Sequence, residues 1–296
     1  MQDLISPASP ELTASHLRAL APLAKVLGRA TNTAPPKTRL GASLSKQKGH
    51  GVELYEVRPY HTNDEVRHMD WRITARTGSP HTRVYTEEKE HSSHLCISLS
   101  DNAYFGTSTT FLSTRLIQVG ALIGWRSQFK REQIGLSLSG QPTIKRIKDW
   151  AFFSDSLAKL TNVSNRGSCE YSFQAEIPNN IRSSSIIILS DQLHITHAGH
   201  NALVQLAQHN RVVWISVEDD QTFQLPPGNY TLKAQNKLLT SELHANDIAT
   251  TAKQYQRKQQ ELDATLASMG IRRFVFDVND SPVSIARQLL TRGIIQ

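Results

Sequence analysis

Residues Ser185-Ile186-Ile187-Ile188-Leu189 form a run of nearly pure isoleucine, closed by Ser190-Asp191. Apolar on both alternating faces, such a run reads as a strand buried on both sides of a parallel sheet. Upstream, Leu95–Leu99 and Gln133–Leu138 also read as strands. They alternate with helical patterns at Thr110–Lys130, where Leu112, Leu116, Val119 and Ile123 are spaced along one face, and at Trp150–Leu160. Downstream, Arg211–Val217 and Arg272–Phe276 read as strands, and Ala198–His209, Ile248–Met269 and Val283–Leu290 as helices. This alternation predicts an α/β fold, an open parallel sheet with helices on both faces.

Two stretches break the order. Residues 49–90 show no helical period but carry β-type runs at Val52–Val57 and Thr82–Tyr85. Residues 223–239 hold the turn Leu225-Pro226-Pro227-Gly228 and short β-type runs at Tyr230–Leu232 and Leu238-Leu239. Together they are expected to make a small β-rich subdomain. The predicted organisation is a basic helix and linker over 1–48, a β-rich subdomain over 49–92, and the α/β domain over 93–296, with the 223–240 excursion packing on the subdomain.

Composition narrows the class. Of 296 residues, 39% are hydrophobic and 20% charged, as in an ordinary globular chain rather than a disordered one. The longest aliphatic run, Ile186–Leu189, falls far short of the roughly 20 residues that span a bilayer. The start, Met1-Gln2-Asp3-Leu4, lacks a basic residue followed by an apolar stretch, which predicts a cytoplasmic protein. Two cysteines, Cys96 and Cys169, make neither a disulfide framework nor a zinc site.

The net charge of +7 is concentrated. Arg18, Lys25, Arg29, Lys37, Arg39, Lys46 and Lys48 lie between Ser15 and Gly49 with no acid among them. Leu17, Leu20, Leu23, Val26 and Leu27 have helical spacing, with Arg18, Lys25 and Arg29 on other faces; residues 31–48 read as a linker. A basic helix docked on the core, a docking surface for an acidic partner and a nucleic-acid contact are the three readings. No aromatic stacking run accompanies the charges, which disfavours the last.

Between residues 58 and 76 stand Arg58-Pro59-Tyr60, Asn63-Asp64, Arg67-His68-Met69-Asp70-Trp71-Arg72 and Ala75-Arg76. Arg58, Arg67, Arg72, Arg76 and Arg83 alternate with Glu53, Glu56, Asp64, Asp70, Glu87, Glu88 and Glu90, so bidentate guanidinium–carboxylate pairs are available. They serve either a structural ion-pair network around Trp71 or a recognition face for a partner. The order and spacing resemble the signature of the bacterial family called domain of unknown function 58 (DUF58). Asn63 stands where that family has Gly, a tolerable exchange at a left-handed turn. The resemblance extends over Phe105-Gly106-Thr107, Ser190-Asp191 and the Leu225–Gly228 turn.

The resemblance implies a von Willebrand factor A-like α/β domain. In that fold an Asp-x-Ser-x-Ser after the first strand, with a later Thr and Asp, holds Mg²⁺. The equivalent positions here read Ser98-Leu99-Ser100-Asp101-Asn102, with Asp191 as the later acid. Ser98 replaces the leading carboxylate and Asn102 the last serine, so the implied site (Ser98, Ser100, Asn102, Asp191) is degenerate, with weak Mg²⁺ binding or none and no other cofactor expected. The family's setting further implies a non-enzymatic adaptor that works with a MoxR-type AAA+ ATPase and its client proteins. The alternatives are a metal-assisted hydrolase using Asp191 and Asp101, and nucleic-acid binding through residues 15–49. His194, His197 and His200 read as exposed histidines, and Gly135–Gly140 misses the nucleophile-elbow pattern.

Overall fold

The structure, a computed structural model, describes residues 5–28, 53–62, 64–86, 92–106, 110–139, 141–165, 172–174, 177–178, 181–219, 221–222, 224, 226–234 and 237–295. Two short helices, α1 (Ala14–Ala19) and α2 (Ala21–Lys25), lie in the N-terminal segment, the first capped by the Thr13 hydroxyl. Then come β1 (Glu53–Pro59), α3 (Trp71–Thr77) and β2 (His81–Thr86). The alternating region runs β3 (Ser92–Ser98), α4 (Leu112–Lys130), β4 (Gln133–Leu138), α5 (Trp150–Leu160), β5 (Ser172–Phe173), β6 (Ser185–Ser190), β7 (His194–Ile195), α6 (His197–His209) and β8 (Arg211–Glu218). It closes with the hairpin β9 (Gly228–Ala234) and β10 (Lys237–Leu243), then α7 (Ala245–Ser268), β11 (Arg272–Asp277) and α8 (Pro282–Thr291).

Five of these strands form one parallel sheet in the order β11-β8-β6-β3-β4. The isoleucine strand β6 lies at its centre and divides its side chains as the period of two requires. Ile187 and Leu189 join the core that includes Leu116 and Ile123 of α4 and Leu289 of α8. Ile186 and Ile188 join a second core with Leu203 and Leu206 of α6 and Leu262 and Leu266 of α7. Each such side chain contributes about 1.5–3 kcal/mol on burial.

Helix α4 is buried all round from Ser113 to Ser127, because the sheet covers one side and α1, α2, α5 and α8 cover the others. Close approach is possible because residue 124 is glycine: a Cβ there would meet the Phe153 ring at 2.3 Å. Phe153 in turn packs edge-on against Trp125 and Trp150.

The chain divides into two compact units, residues 1–35 with 91–296, and residues 36–90. The basic N-terminal helices thus belong with the α/β sheet. Residues 29–52, including Arg29 and the expected linker, lie outside the described residues, as does Cys169. In the smaller unit β1 pairs antiparallel with β2; in the larger one β9 pairs with β10 in a hairpin of its own. Residues 49–90, which show no helical period in the sequence, nonetheless hold the helix α3. At seven residues it is too short to show an apolar period, and it exists because Asp70 caps its start while Gly78, at φ 73°, closes its end.

Candidate functional site

In the parallel sheet, the strands that follow β3 and β6 leave in opposite directions, β4 to one side and β8 to the other. Such a switch point opens a crevice outside the carboxyl ends of the two strands, where open α/β sheets bind. Ser98 and Ser190 face one another across that junction in the β3–β6 ladder. The chain then delivers Ser100 from one side and Asp191 from the other.

Asp191 accepts two hydrogen bonds from Ser100, from the backbone N–H at 2.8 Å and from the hydroxyl. The Ser100 hydroxyl also accepts the Asn102 N–H at 3.1 Å, which caps a one-turn 3₁₀ helix over Asp101–Tyr104. Beneath them, the buried Ser98 hydroxyl donates to Gln192 Oε1 at 3.0 Å and accepts from Ser139 at 3.0 Å. Gln192 is fixed by its own N–H to Ser190 Oγ at 3.1 Å. Burial pushes the Asp191 carboxyl above its ordinary range, the Ser100 hydrogen bonds pull it down, and the Asp101 charge adds to the rise.

Sequence reasoning thus names four residues that meet at one place, but their donor set does not suit a divalent cation. Ser98 and Asn102 are neutral, Asn102 is exposed, and both Asp191 oxygens already accept from Ser100. Mg²⁺ requires near-octahedral oxygen ligands with one or two carboxylates free to bind it. Among the described residues no group of three or more His, Cys, Asp or Glu side chains is placed to hold a metal. Chemically, the crevice is a hydrogen-bonded polar turn.

The signature residues sort into a buried set and an outward set. Arg58 pairs with Asp64 at 2.7 Å, and Asp64 also accepts the His61 N–H at 3.0 Å. Asp70 is the hub: one oxygen caps α3 through the N–H groups of Arg72 and Ile73, and the other accepts Arg83 Nε at 2.8 Å. The Arg83 guanidinium, followed by the Ile73 N–H, holds the Asp70 carboxyl below its ordinary range. The Tyr60 N–H donates to Pro80 O at 2.9 Å, tying the strand ends together.

The outward set is different. Trp71 is 64% exposed and Val66 59%, with Arg72 and Arg76 exposed on the same short helix. Arg67 is exposed and pairs with Glu65. Of the two readings of the signature, the ion pairs found centre on Asp70, next to Trp71 in the chain, while the Trp71 side chain itself is exposed. Asn63 and Glu87–Glu90 lie outside the described residues.

The basic N-terminal patch is docked. Leu17, Leu20, Ala24 and Leu27 are buried in the α4 core. Arg18 pairs with Asp155 at 3.2 Å on the surface, and Lys25 lies 5.6 Å from the Phe129 ring centre. Two arginines inside the apolar run of α4, which sequence reasoning passed over, make the attachment. Arg126 donates to the carbonyls of Ala24 (3.3 Å) and Gly28 (2.6 Å), and Arg115 to those of Ile5 and Val278, both at 2.9 Å. Burial lowers both guanidinium groups, Arg115 to about 10. The signal was present: an arginine in a helix rich in apolar residues must find hydrogen-bond partners when buried. His94 was missed in the same way. It is buried against Gly135 with Nε2 2.8 Å from Ser137 Oγ, and burial pulls its pKa down to about 4.

Comparison with known proteins bears on the smaller unit and most of the sheet together. The family described as Protein of unknown function DUF58 matches residues 56–265. The chain is a member of the DUF58 family. Curated relatives include uncharacterized proteins of Mycobacterium bovis and of two strains of Mycobacterium tuberculosis, each 29% identical over 107 residues. That alignment covers 36% of this chain and 34% of each relative, so the match spans about a third of the relatives' length. No solved structure matches. Among the described residues no helix of this DUF58 protein is long and apolar enough to cross a membrane.

Proposed function

We propose that this DUF58 protein is a non-enzymatic docking protein that serves a MoxR-type AAA+ ATPase and its clients. Its sheet is read as a von Willebrand factor A-like domain whose metal site has become a hydrogen-bonded turn. Support for the domain reading is that the Ser98–Asn102 loop and Asp191 follow neighbouring strands and meet at the carboxyl end of the sheet. The observation that carries the docking reading is the outward set at 71–76. A tryptophan 64% exposed, flanked by Arg72 and Arg76, sits on a helix that Asp70 and Arg83 hold in place. Tryptophan and arginine are the side chains that most often dominate the energy of a protein interface. An exposed Trp on a preorganised helix also loses little freedom when a partner covers it.

The test is binding of the purified ATPase from the same genome to the full chain, by biolayer interferometry at low salt and with nucleotide varied. Trp71→Ala is expected to weaken binding about tenfold or more, as loss of an interface anchor does. Arg72→Glu with Arg76→Glu is expected to slow association and flatten its salt dependence. No binding at tens of micromolar would overturn the adaptor reading.

A further inference from the structure

The two edges of the central sheet are finished differently. Beside β4 the chain turns back on itself: Leu136 and Ile144 exchange backbone hydrogen bonds of 2.7 and 2.8 Å, and the Ile147 N–H reaches Ile134 O at 2.8 Å. That edge is covered. Among the described residues β11 has β8 as its single neighbour in the sheet, and Val275 at its middle is 46% exposed. An open edge strand is a template for pairing, which proteins ordinarily blunt.

A groove of about 420 Å³ lies between α7 and the sheet face at this side, lined by Arg273 and Val275 of β11, Glu218 of β8 and Gln256, Gln260 and Asp263 of α7. Its wall is rigid. The Arg273 side chain, 5% exposed, is held by Glu218 at 2.5 Å and by Asp263 at 3.0 Å. On the other face of the strand, Arg292 lies 5.0 Å from the Phe274 ring and 5.8 Å from the Phe276 ring.

We propose that this edge is the seam of a homodimer, in which the β11 strands of two copies pair antiparallel about a twofold axis normal to the sheet. This inference is independent of the ATPase reading. In such a pair, opposed side chains lie on the same face, so their residue numbers share parity. With the axis at Val275, that residue, 46% exposed, faces the partner's Val275, while the Arg273 side chain and Phe276 stay buried within their own copy. An apolar cross-strand pair of this kind is favourable.

The same axis lays the two copies of α7 side by side and antiparallel. The shared groove puts Gln256 and Gln260 level with Arg273 and Val275. Gln256 then meets the partner's Gln260, and Lys253, exposed one turn earlier, meets the partner's Asp263. An isologous interface needs a patch that complements itself under a twofold, and strand and helix here satisfy that condition about one axis.

Sedimentation velocity on the full chain from about 1 to about 100 µM tests this. The expected result is twice the chain mass at the upper end. Val275→Lys, at an exposed position, is expected to weaken association at least tenfold. Two double variants probe the helix seam: Gln256→Glu with Gln260→Glu, and Gln256→Lys with Gln260→Lys. Each is expected to be monomeric alone, because like charges face across the axis, and a one-to-one mixture is expected to restore the dimer. A wild-type chain that stays monomeric at the highest concentration would overturn the proposal. So would a dimer that Val275→Lys and both double variants leave unchanged.

Discussion

Ser100 and Asp191, 91 residues apart in the chain, are joined by two hydrogen bonds across the junction of β3 and β6. Asp191 is thus the carboxylate that joins this turn by hydrogen bonds, and Ser98 and Asn102 add only neutral oxygens beside it. Calorimetric titration with Mg²⁺ is therefore expected to give no measurable heat, and about 1 mM Mg²⁺ no shift in melting temperature. Micromolar affinity that disappears in Asp191→Ala would contradict this. Ser98→Asp, which restores a leading carboxylate beside Gln192, is expected to raise affinity for the ion.

Stability should depend on pH through His94. Its pKa lies at about 4 in the folded chain against 6.5 in the unfolded one. Between those values the unfolded chain binds the extra proton, so folding is weakened as pH falls from about 6.5 toward 4 and fully supported above it. Integrated over that window the effect is about 3 kcal/mol. Asp191, raised by burial, acts in the opposite sense within the carboxylate range. Urea unfolding at pH 7 and pH 5 should show the loss, and His94→Gln, which keeps a donor for Ser137, should flatten it.

Arg126→Met is expected to destabilise the protein by about 2–3 kcal/mol, the worth of charge-assisted hydrogen bonds to two carbonyls less the packing the methionine keeps. The loss should be local at first. Hydrogen exchange at Leu20–Leu27 is expected to quicken before that of β6.

Asp70 and Trp71 are adjacent and should respond in opposite ways. Asp70→Ala removes the α3 cap and the Arg83 partner together, and is expected to melt residues 53–86 at a lower temperature. Trp71→Ala removes a side chain in solvent and is expected to change stability by less than about 0.5 kcal/mol. Circular dichroism melts of the two variants make the comparison, and a Trp71→Ala variant as unstable as Asp70→Ala would show the tryptophan to be structural.

Gly124→Ala is expected to destabilise by about 1–3 kcal/mol even though alanine favours helix, since the added carbon meets the Phe153 ring at 2.3 Å. Phe153→Leu in the same chain should recover part of the loss.

Periodicity made much of the fold legible. Gln133–Leu138 and Trp150–Leu160 are bounded in the structure where their apolar patterns end, and Ser185–Leu189 extends by one residue to Ser190. These elements bury their faces against regular neighbours, so local pattern and tertiary role agree. The two β-type excursions were legible as strands, but side-chain alternation does not say which strand takes up which ladder. Helix α3 was hidden because a single carboxylate cap, not a repeating face, makes it. In the signature, residue types alone could not separate Asp64 and Asp70, held by arginines, from Arg72 and Arg76, turned outward. That division is set by which side of a two-turn helix meets β2.

The attachment of the N-terminal helices has a consequence for how this chain can vary. Trp125, Arg115 and Arg126 grip the carbonyls of Leu17, Ile5, Ala24 and Gly28 rather than any side chain. Every amino acid offers that same oxygen. The outward positions of residues 5–28 therefore add only surface contacts to that grip, such as the Arg18–Asp155 pair and Lys25 against Phe129. Their charge can drift, or be tuned to whatever approaches that surface, while the grip beneath them stays the same.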